Sequence, residues 1–333
     1  MYNEIQSLVL NLNIEIIIKE IIKIKQKNPS TFLGKGNLLR LKDKIIKYKI
    51  NLLIINNNLS PSQQRNLEKL LNIKVTDRSG IIIEIFSKRA STKESRLQVE
   101  LAELIYRKSR LVRAWTHLER QRGGTTFIGG PGELQIELDK RLIQSKIVRI
   151  KKRLVKVKAR RKIQRKSRLN SNFQTFALVG YTNAGKTKLF NKLTKKKQSS
   201  QNKLFETLDT KISKFYLNDH QVGIIDTVGF INNIPTQLIE SFHATLEEIN
   251  SANFIINVVD VNDINANDKI LTTKRILKET GVSEDKISKM INVYNKIDLS
   301  NSNYKQTQNR IFISALTGEG IENLKDSIER KLT

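Results

Sequence analysis

The feature that most constrains this chain lies near its middle. A short apolar strand, TFALV at 175–179, runs directly into Gly180-Tyr181-Thr182-Asn183-Ala184-Gly185-Lys186-Thr187 and then into the helical LFNKLT. A loop with glycine at its start, Gly-Lys-Thr at its end, a strand before it and a helix after it is the phosphate-binding loop in its confirming context. Its backbone N–H groups point at phosphates, helped by the positive end of the following helix. Lys186 supplies a point charge for the β and γ phosphates, and Thr187 a hydroxyl for Mg2+. The remainder of the chain alternates strand and helix patterns, which implies an α/β fold around a largely parallel sheet.

Three further elements follow in order, each after an apolar strand. Val222–Ile225 ends in Asp226-Thr227-Val228-Gly229, placing Asp226 to hold Mg2+ through water and the Gly229 N–H to sense a γ-phosphate. Ile291–Tyr294 leads into Asn295-Lys296-Ile297-Asp298. A carboxylate there accepts from the ring N–H and the exocyclic amine of guanine. Adenine lacks that pair of donors, and a buried group left unpaired costs about 1–3 kcal/mol. Ile311–Ile313 precedes Ser314-Ala315, a strand-end turn that offers a backbone N–H to the guanine oxygen. The expected ligand is therefore GTP or GDP with Mg2+. In the intervening LFETLDT, Phe205 is expected at the nucleotide. Thr207 is the first choice for the switch threonine on Mg2+, with Thr210 the alternative.

The net charge of +28 is unevenly placed: residues 1–170 carry +25 and residues 171–333 only +3. Between 141 and 170 there are 14 Lys and Arg and no acid. A bias towards Lys, Ile and Asn acting on the whole chain would charge both halves alike, so a polyanion such as RNA is the expected partner of the first half. The absence of cysteine excludes disulfides and thiolate metal sites. The start, with its acids, does not resemble a secretory signal, and no stretch approaches the roughly 18 apolar residues of a membrane helix. A cytoplasmic protein without a membrane span, monomeric when free, is expected.

Three segments precede or form the nucleotide region. Residues 1–92 read as a small α/β domain, with β-branched runs at 13–18, 51–55 and 81–86 taken as strands and helices between them, one begun by Ser60-Pro61. Gly34-Lys35-Gly36 reads as a turn before a helix. Residues 93–170 read as a basic helical hairpin. Leu97, Leu101, Leu104, Ile105, Leu111 and Trp115 stripe the first helix, the second runs from near Glu133 towards Arg168, and the glycine-rich tip presents Phe127 and Ile128. Residues 171–333 form the P-loop domain.

The sequence resembles the HflX family of ribosome-associated GTPases over nearly its whole length. The resemblance rests on TFLGKGN, LSPSQQRNLEKLLNIKVTDRSGIIIEIF, RLQVELAEL, WTHLERQ, GGPGE, GYTNAGKT, LFETLD, DTVGFI and ESFHATLEEI. It implies an amino-terminal α/β domain, a helical hairpin and a G domain. It also implies binding to the large ribosomal subunit and its RNA, with separation of stalled ribosomes into subunits. The chain departs from the family where Thr210 replaces the usual proline after the switch TLD, where Thr187 stands for serine, and at His243, where arginine is usual.

No general base is assigned, because Phe230 occupies the position of the glutamine that orients water in many GTPases. Asn183 is similar to the asparagine of potassium-activated GTPases, so K+ beside the phosphates is a further expectation; the alternative is that Asn183 only hydrogen-bonds within the loop. Two other functions fit the same residues. One is a GTPase of ribosome assembly, and the other an RNA-remodelling protein with an ATP site of its own in the amino-terminal domain.

Overall fold

The computed structural model describes residues 2–111, 131–169, 174–196, 204–205, 207–218, 220–231, 247–300, 304 and 310–332. They fall into two compact units. The first holds the chain to Lys88 and Leu97–Leu154, and the second Arg89–Arg96 and the chain from Val155 onward.

The first unit begins with α1 (Tyr2–Leu10) and α2 (Lys35–Lys47); Gly34 precedes α2 in extended backbone, and Lys35 and Gly36, expected as part of a turn, already lie in its first turn. A βαβ crossover follows: β1 (Leu52–Ile55), α3 (Pro61–Leu71) and β2 (Lys74–Asp77), with the two strands parallel and Ile55 opposite Asp77. The start of α3 follows from its sequence. The Ser60 hydroxyl accepts from the Gln63 N–H, the Gln63 side chain accepts from the Ser60 N–H, and Pro61 needs no N–H partner. Phe32, Leu33, Leu38, Ile45, Leu67, Leu71 and Val75 pack into one core over this crossover.

Two of the three expected strands are absent from the described residues. The IIIEIF run at 81–86 lies inside α4 (Arg78–Arg89), which starts directly after β2. A run that is apolar at nearly every position has no period to tell helix from strand. What decides is enclosure and a cap: Ile81, Ile82, Ile83, Ile85 and Phe86 are all buried, and Asp77 accepts from the Gly80 N–H to start the first turn. The strand belongs instead to Lys74–Asp77. Residues 14–24 keep a strand's alternation of half-buried and exposed positions but pair with no strand among the described residues; Ile22 and Ile24 lie against the core, and Glu20 bonds Arg40 and Lys44 of α2.

Beyond these, α5 (Lys93–Leu111) buries Leu97 and Leu101 and half-buries Leu104, Ile105 and Leu111, while α6 (Pro131–Leu169) buries Ile147, Ile150 and Leu154. Lys108 of α5 donates to Gln144 of α6 at 2.7 Å. Trp115, the expected tip residues Phe127 and Ile128, and His243 lie outside the described residues. No helix among the described residues is long and apolar enough to cross a membrane.

The second unit is built on a six-stranded sheet. In chain order its elements are β3 (Thr175–Val179), α7 (Lys186–Thr194), β4 (Lys211–Leu217), β5 (His220–Asp226), β6 (Phe254–Asp260), α8 (Ala266–Glu279), α9 (Glu284–Ser288), β7 (Ile291–Asn295), β8 (Ile311–Ile313) and α10 (Ile321–Leu332). The spatial order is β4-β5-β3-β6-β7-β8, and every neighbouring pair is parallel except β4 with β5. Central β3 and β6 are buried along nearly their whole length, as strands covered on both faces must be, whereas edge strand β4 alternates. Phe176, Leu178, Leu189, Phe190, Val222, Ile224, Ile256 and Val293 form the centre of its core. Each fully buried side chain of this size contributes roughly 1.5–3 kcal/mol. Because β3, β5, β7 and β8 run the same way, their carboxyl ends bring four separate stretches of sequence to one edge of the sheet.

Candidate nucleotide-binding site

The loop after β3 adopts a backbone that its glycines make possible. Gly180 has φ +136°, and a Cβ there would fall 2.3 Å from the Val258 carbonyl oxygen. Gly185 has φ +94°, and a Cβ would meet the Asn295 amide nitrogen at 2.2 Å. Both positions combine left-handed backbone with close approach, which only glycine tolerates. Gly185 caps α7, so the loop feeds straight into a helix whose first residue is Lys186. The Lys186 ammonium is buried and donates to the carbonyls of Gly180 (3.0 Å) and Tyr181 (2.7 Å). Burial lowers its pKa to about 8, with Asp226 acting in the opposite direction.

Asp226, at the end of β5, is fully buried. Its Oδ2 accepts from the hydroxyls of Thr187 and Thr207, each at 2.9 Å, and those two hydroxyls lie 2.8 Å apart. Burial raises the Asp226 pKa, opposed by the Lys186 charge and the two hydroxyl donors. Its other oxygen, Oδ1, is buried without a hydrogen-bond partner. An orphaned carboxylate oxygen beside two converging hydroxyls is an all-oxygen set suited to a hard divalent cation that keeps much of its water, so these residues fit Mg2+. The switch hydroxyl that reaches this corner is that of Thr207.

The base end is assembled from β7 and β8. Asn295 ties three segments together: its Nδ2 donates to the Ala184 carbonyl at 2.8 Å, and its Oδ1 accepts from the Ala315 N–H at 2.9 Å. Lys296, with φ +72°, pairs with Asp260 at 2.7 Å. The Ser314 hydroxyl donates to Asp298 Oδ1 at 2.5 Å. Asp298 Oδ1 is thereby oriented while the carboxylate stays at the cavity wall.

These groups surround a cavity of about 270 Å3. Of the residues expected from sequence, Thr182, Asn183, Gly185, Lys186, Thr187, Phe205, Thr207, Gly229, Asn295, Lys296, Asp298 and Ala315 line it. Gly180, Tyr181, Ala184, Asp226 and Ser314 stand behind that lining and hold it through the bonds described. Four lining residues were not anticipated: Lys188, Thr227, Leu299 and Leu316. Each directly follows, or lies one position from, a residue that was, and Thr227 is further marked by burying its hydroxyl against the Leu178 carbonyl at 2.6 Å. Phe230 is buried. Its N–H donates to the Gly180 carbonyl at 3.0 Å, and its carbonyl accepts from the Thr182 N–H at 2.8 Å, so the DTVGF segment is pinned to the phosphate loop through its backbone.

Comparison with known proteins covers nearly the whole chain. Family models described as GTP-binding GTPase N-terminal, GTP-binding GTPase Middle Region and 50S ribosome-binding GTPase match residues 1–87, 89–168 and 175–296 respectively. GTPase HflX of Magnetococcus marinus is 43% identical over 334 residues, covering 98% of this chain and 77% of that protein. GTPase HflX of Escherichia coli K12 is 37% identical over 338 residues, covering 99% and 78%. A crystal structure of a GTP-binding protein from Sulfolobus solfataricus in complex with GDP superposes with a TM-score of 0.51 at 25% identity, covering 99% of this chain and 94% of that one. With both its sequence and its nucleotide cavity accounted for, the chain belongs to the HflX family of GTPases and is an enzyme that hydrolyses GTP.

Proposed function

We propose that this GTPase binds the large ribosomal subunit through the RNA-directed charge of residues 1–170 and uses GTP to separate stalled ribosomes into subunits. The observation that carries the reading is the division of charge: +25 on the first 170 residues against +3 on the rest. Phosphate neutralisation favours rRNA for such a surface, and the description of the matching G-domain family as ribosome-binding supports it.

In this reading the cavity holds GTP with its guanine at Asp298, Lys296, Ala315 and Ser314. The phosphates lie along Gly180, Tyr181, Thr182, Asn183, Ala184, Gly185 and Lys186. Thr187, Thr207 and Asp226 would hold Mg2+, Asp226 through water, and the ion would supply charge neutralisation at the β and γ phosphates. The lysine charge and the loop N–H groups stabilise the same region, and Phe230 contributes no water-orienting group. Slow turnover by the isolated chain and acceleration on the ribosome follow. The setting is the cytoplasm.

Sedimentation of intact ribosomes with the purified chain tests the reading. With GTP or a non-hydrolysable analogue, the intact particle should give way to separate subunits, and with GDP it should persist. Intact particles in every nucleotide state, with the chain bound only to immature large-subunit precursors, would replace splitting by an assembly role.

A further inference from the structure

The segment Arg89–Arg96 belongs to the second unit, although the chain on either side of it, to Lys88 and from Leu97, belongs to the first. Within the second unit it meets the Asp209 carboxylate. Asp209 Oδ2 accepts from the backbone N–H groups of Ser91 and Thr92, each at 3.1 Å, and from the Ser91 hydroxyl at 2.5 Å. Asp209 Oδ1 accepts from the Thr92 hydroxyl at 2.5 Å. Thr92 is also the cap of α5: its Oγ1 accepts from the Ser95 N–H at 3.1 Å, and its carbonyl from the Arg96 N–H at 3.0 Å. A single exposed ion contact stabilises little. Four donors converging on both oxygens of one carboxylate, two of them backbone groups with no conformational freedom of their own, fix position far better.

Asp209 lies two residues beyond Thr207, and two residues of fully extended chain span at most about 7 Å. With Asp209 clasped, Thr207 is confined near the corner where its hydroxyl meets Thr187 and Asp226. We propose that Asp209 is a positioning residue for GTP hydrolysis: by clasping Ser91 and Thr92 it presets Thr207 for Mg2+·GTP. Coupling of this kind is reciprocal, so seating of Thr207 is felt in turn at the first turn of α5. The inference rests on Thr207 being the switch ligand to Mg2+.

The test uses the full chain as wild type, Asp209→Ala, Ser91→Ala/Thr92→Ala and Thr207→Ala. It measures GDP affinity, kcat, KM and the Mg2+ concentration that half-saturates turnover. The clasp predicts that Asp209→Ala and the Ser91/Thr92 double variant each raise the half-saturating Mg2+ and lower kcat, by about tenfold, while GDP affinity moves less than about twofold. Combining them should add little further, because they remove one interaction. A merely structural carboxylate would lower the melting temperature without moving the Mg2+ requirement, and that result overturns the proposal. If Asp209→Ala does not fold, the Ser91/Thr92 variant carries the test alone. A shifted Mg2+ requirement in Thr207→Ala with none in the clasp variants sinks the clasp but keeps the Thr207 assignment. No shift in Thr207→Ala sinks that assignment itself, and the proposal with it.

Discussion

Among the described residues, each unit buries one aspartate at the end of a parallel strand, and the two are treated oppositely. Asp77 closes β2 with both oxygens in use: Oδ1 accepts from the Gly80 N–H and the Tyr106 hydroxyl, and Oδ2 from the Leu59 N–H and Arg110. The Arg110 guanidinium also stacks 3.6 Å from the centre of the Tyr106 ring, whose phenol burial pushes to higher pKa. Asp226 closes β5 with one oxygen shared by two hydroxyls and the other without a partner. A saturated buried carboxylate organises the chain around it. An unsaturated one retains a desolvation cost that a ligand can offset, which is how a fold stores binding capacity. By this measure Asp77 is structural, which leaves the amino-terminal ATP site considered from sequence without support from its most buried carboxylate.

Exchanging each aspartate for asparagine sharpens that contrast most strongly. Asp226→Asn should lower GTP turnover roughly 100- to 1,000-fold, the scale of losing a group that organises transition-state charge. It should leave the melting temperature of the nucleotide-free protein equal or higher, since a buried carboxylate oxygen without a hydrogen-bond partner has been removed. Asp77→Asn should do the reverse. Breaking a saturated buried ion pair costs about 3–5 kcal/mol, so the first unit should melt earlier in a thermal scan. GTP affinity of the second unit should hold. If Asp226→Asn destabilised the protein as much as Asp77→Asn, the two carboxylates would have the same job and the comparison would collapse.

A smaller effect is expected at the base. The Ser314 hydroxyl donates to Asp298 Oδ1, and Asp298 lines the cavity where the proposed function puts guanine. Asp298→Asn puts a donor against the donors of guanine, and GTP affinity should fall about 10- to 100-fold, corresponding to roughly 1–3 kcal/mol. Titration with GTP and ATP reads this directly. Unaltered preference for GTP would remove Asp298 from base recognition.

The units also differ in how plainly sequence announces them. The second was legible because each part of its site sits on a contiguous motif at a strand end. Gly180 to Thr187 must form its loop locally, and the strands before Asp226, Asn295 and Ser314 are apolar enough to mark the sheet. The first unit has no such markers. Its IIIEIF run reads as a strand when taken alone, and only the enclosing core and the Asp77 cap make it a helix. Long-range contacts were hidden in both units. Nothing in LFETLD shows that Asp209 bonds to a residue 118 positions earlier, because side-chain pairing across such a separation leaves no periodicity to read.

Charge makes a further comparison along α6, whose residues up to Leu154 belong to the first unit and those from Val155 to the second. Reversing Arg160, Arg161, Lys162 and Arg165 to Glu should weaken binding to large subunits at low salt, with the loss shrinking as salt rises. If all four meet phosphates, the slope of log affinity against log salt should flatten by about 2.8–3.6, at ~0.7–0.9 per contact. Undiminished affinity at low salt would make this run a solvated helix face.

The smallest expected effect concerns how the second unit completes its transition state without a water-orienting glutamine. Phe230 is buried and bound to the phosphate loop through its backbone, so its side chain leaves that role empty. Asn183 lines the cavity at φ +65°, and its side chain bonds to no other part of the loop among the described residues. The two expectations for Asn183, a bond within the loop or an amide oxygen offered to K+ beside the phosphates, are told apart by the cation dependence of turnover. A cation there would neutralise charge developing between the β and γ phosphates, as an arginine finger does. In matched K+ and Na+ buffers, the isolated chain should turn GTP over slowly in both and roughly tenfold faster in K+. Asn183→Ala should erase the difference while leaving GDP affinity near its original value. Large subunits should accelerate the wild type further by ordering the switch. Equal rates in the two cations would remove K+ from the mechanism, and the acceleration by large subunits would then have to supply the missing charge by itself.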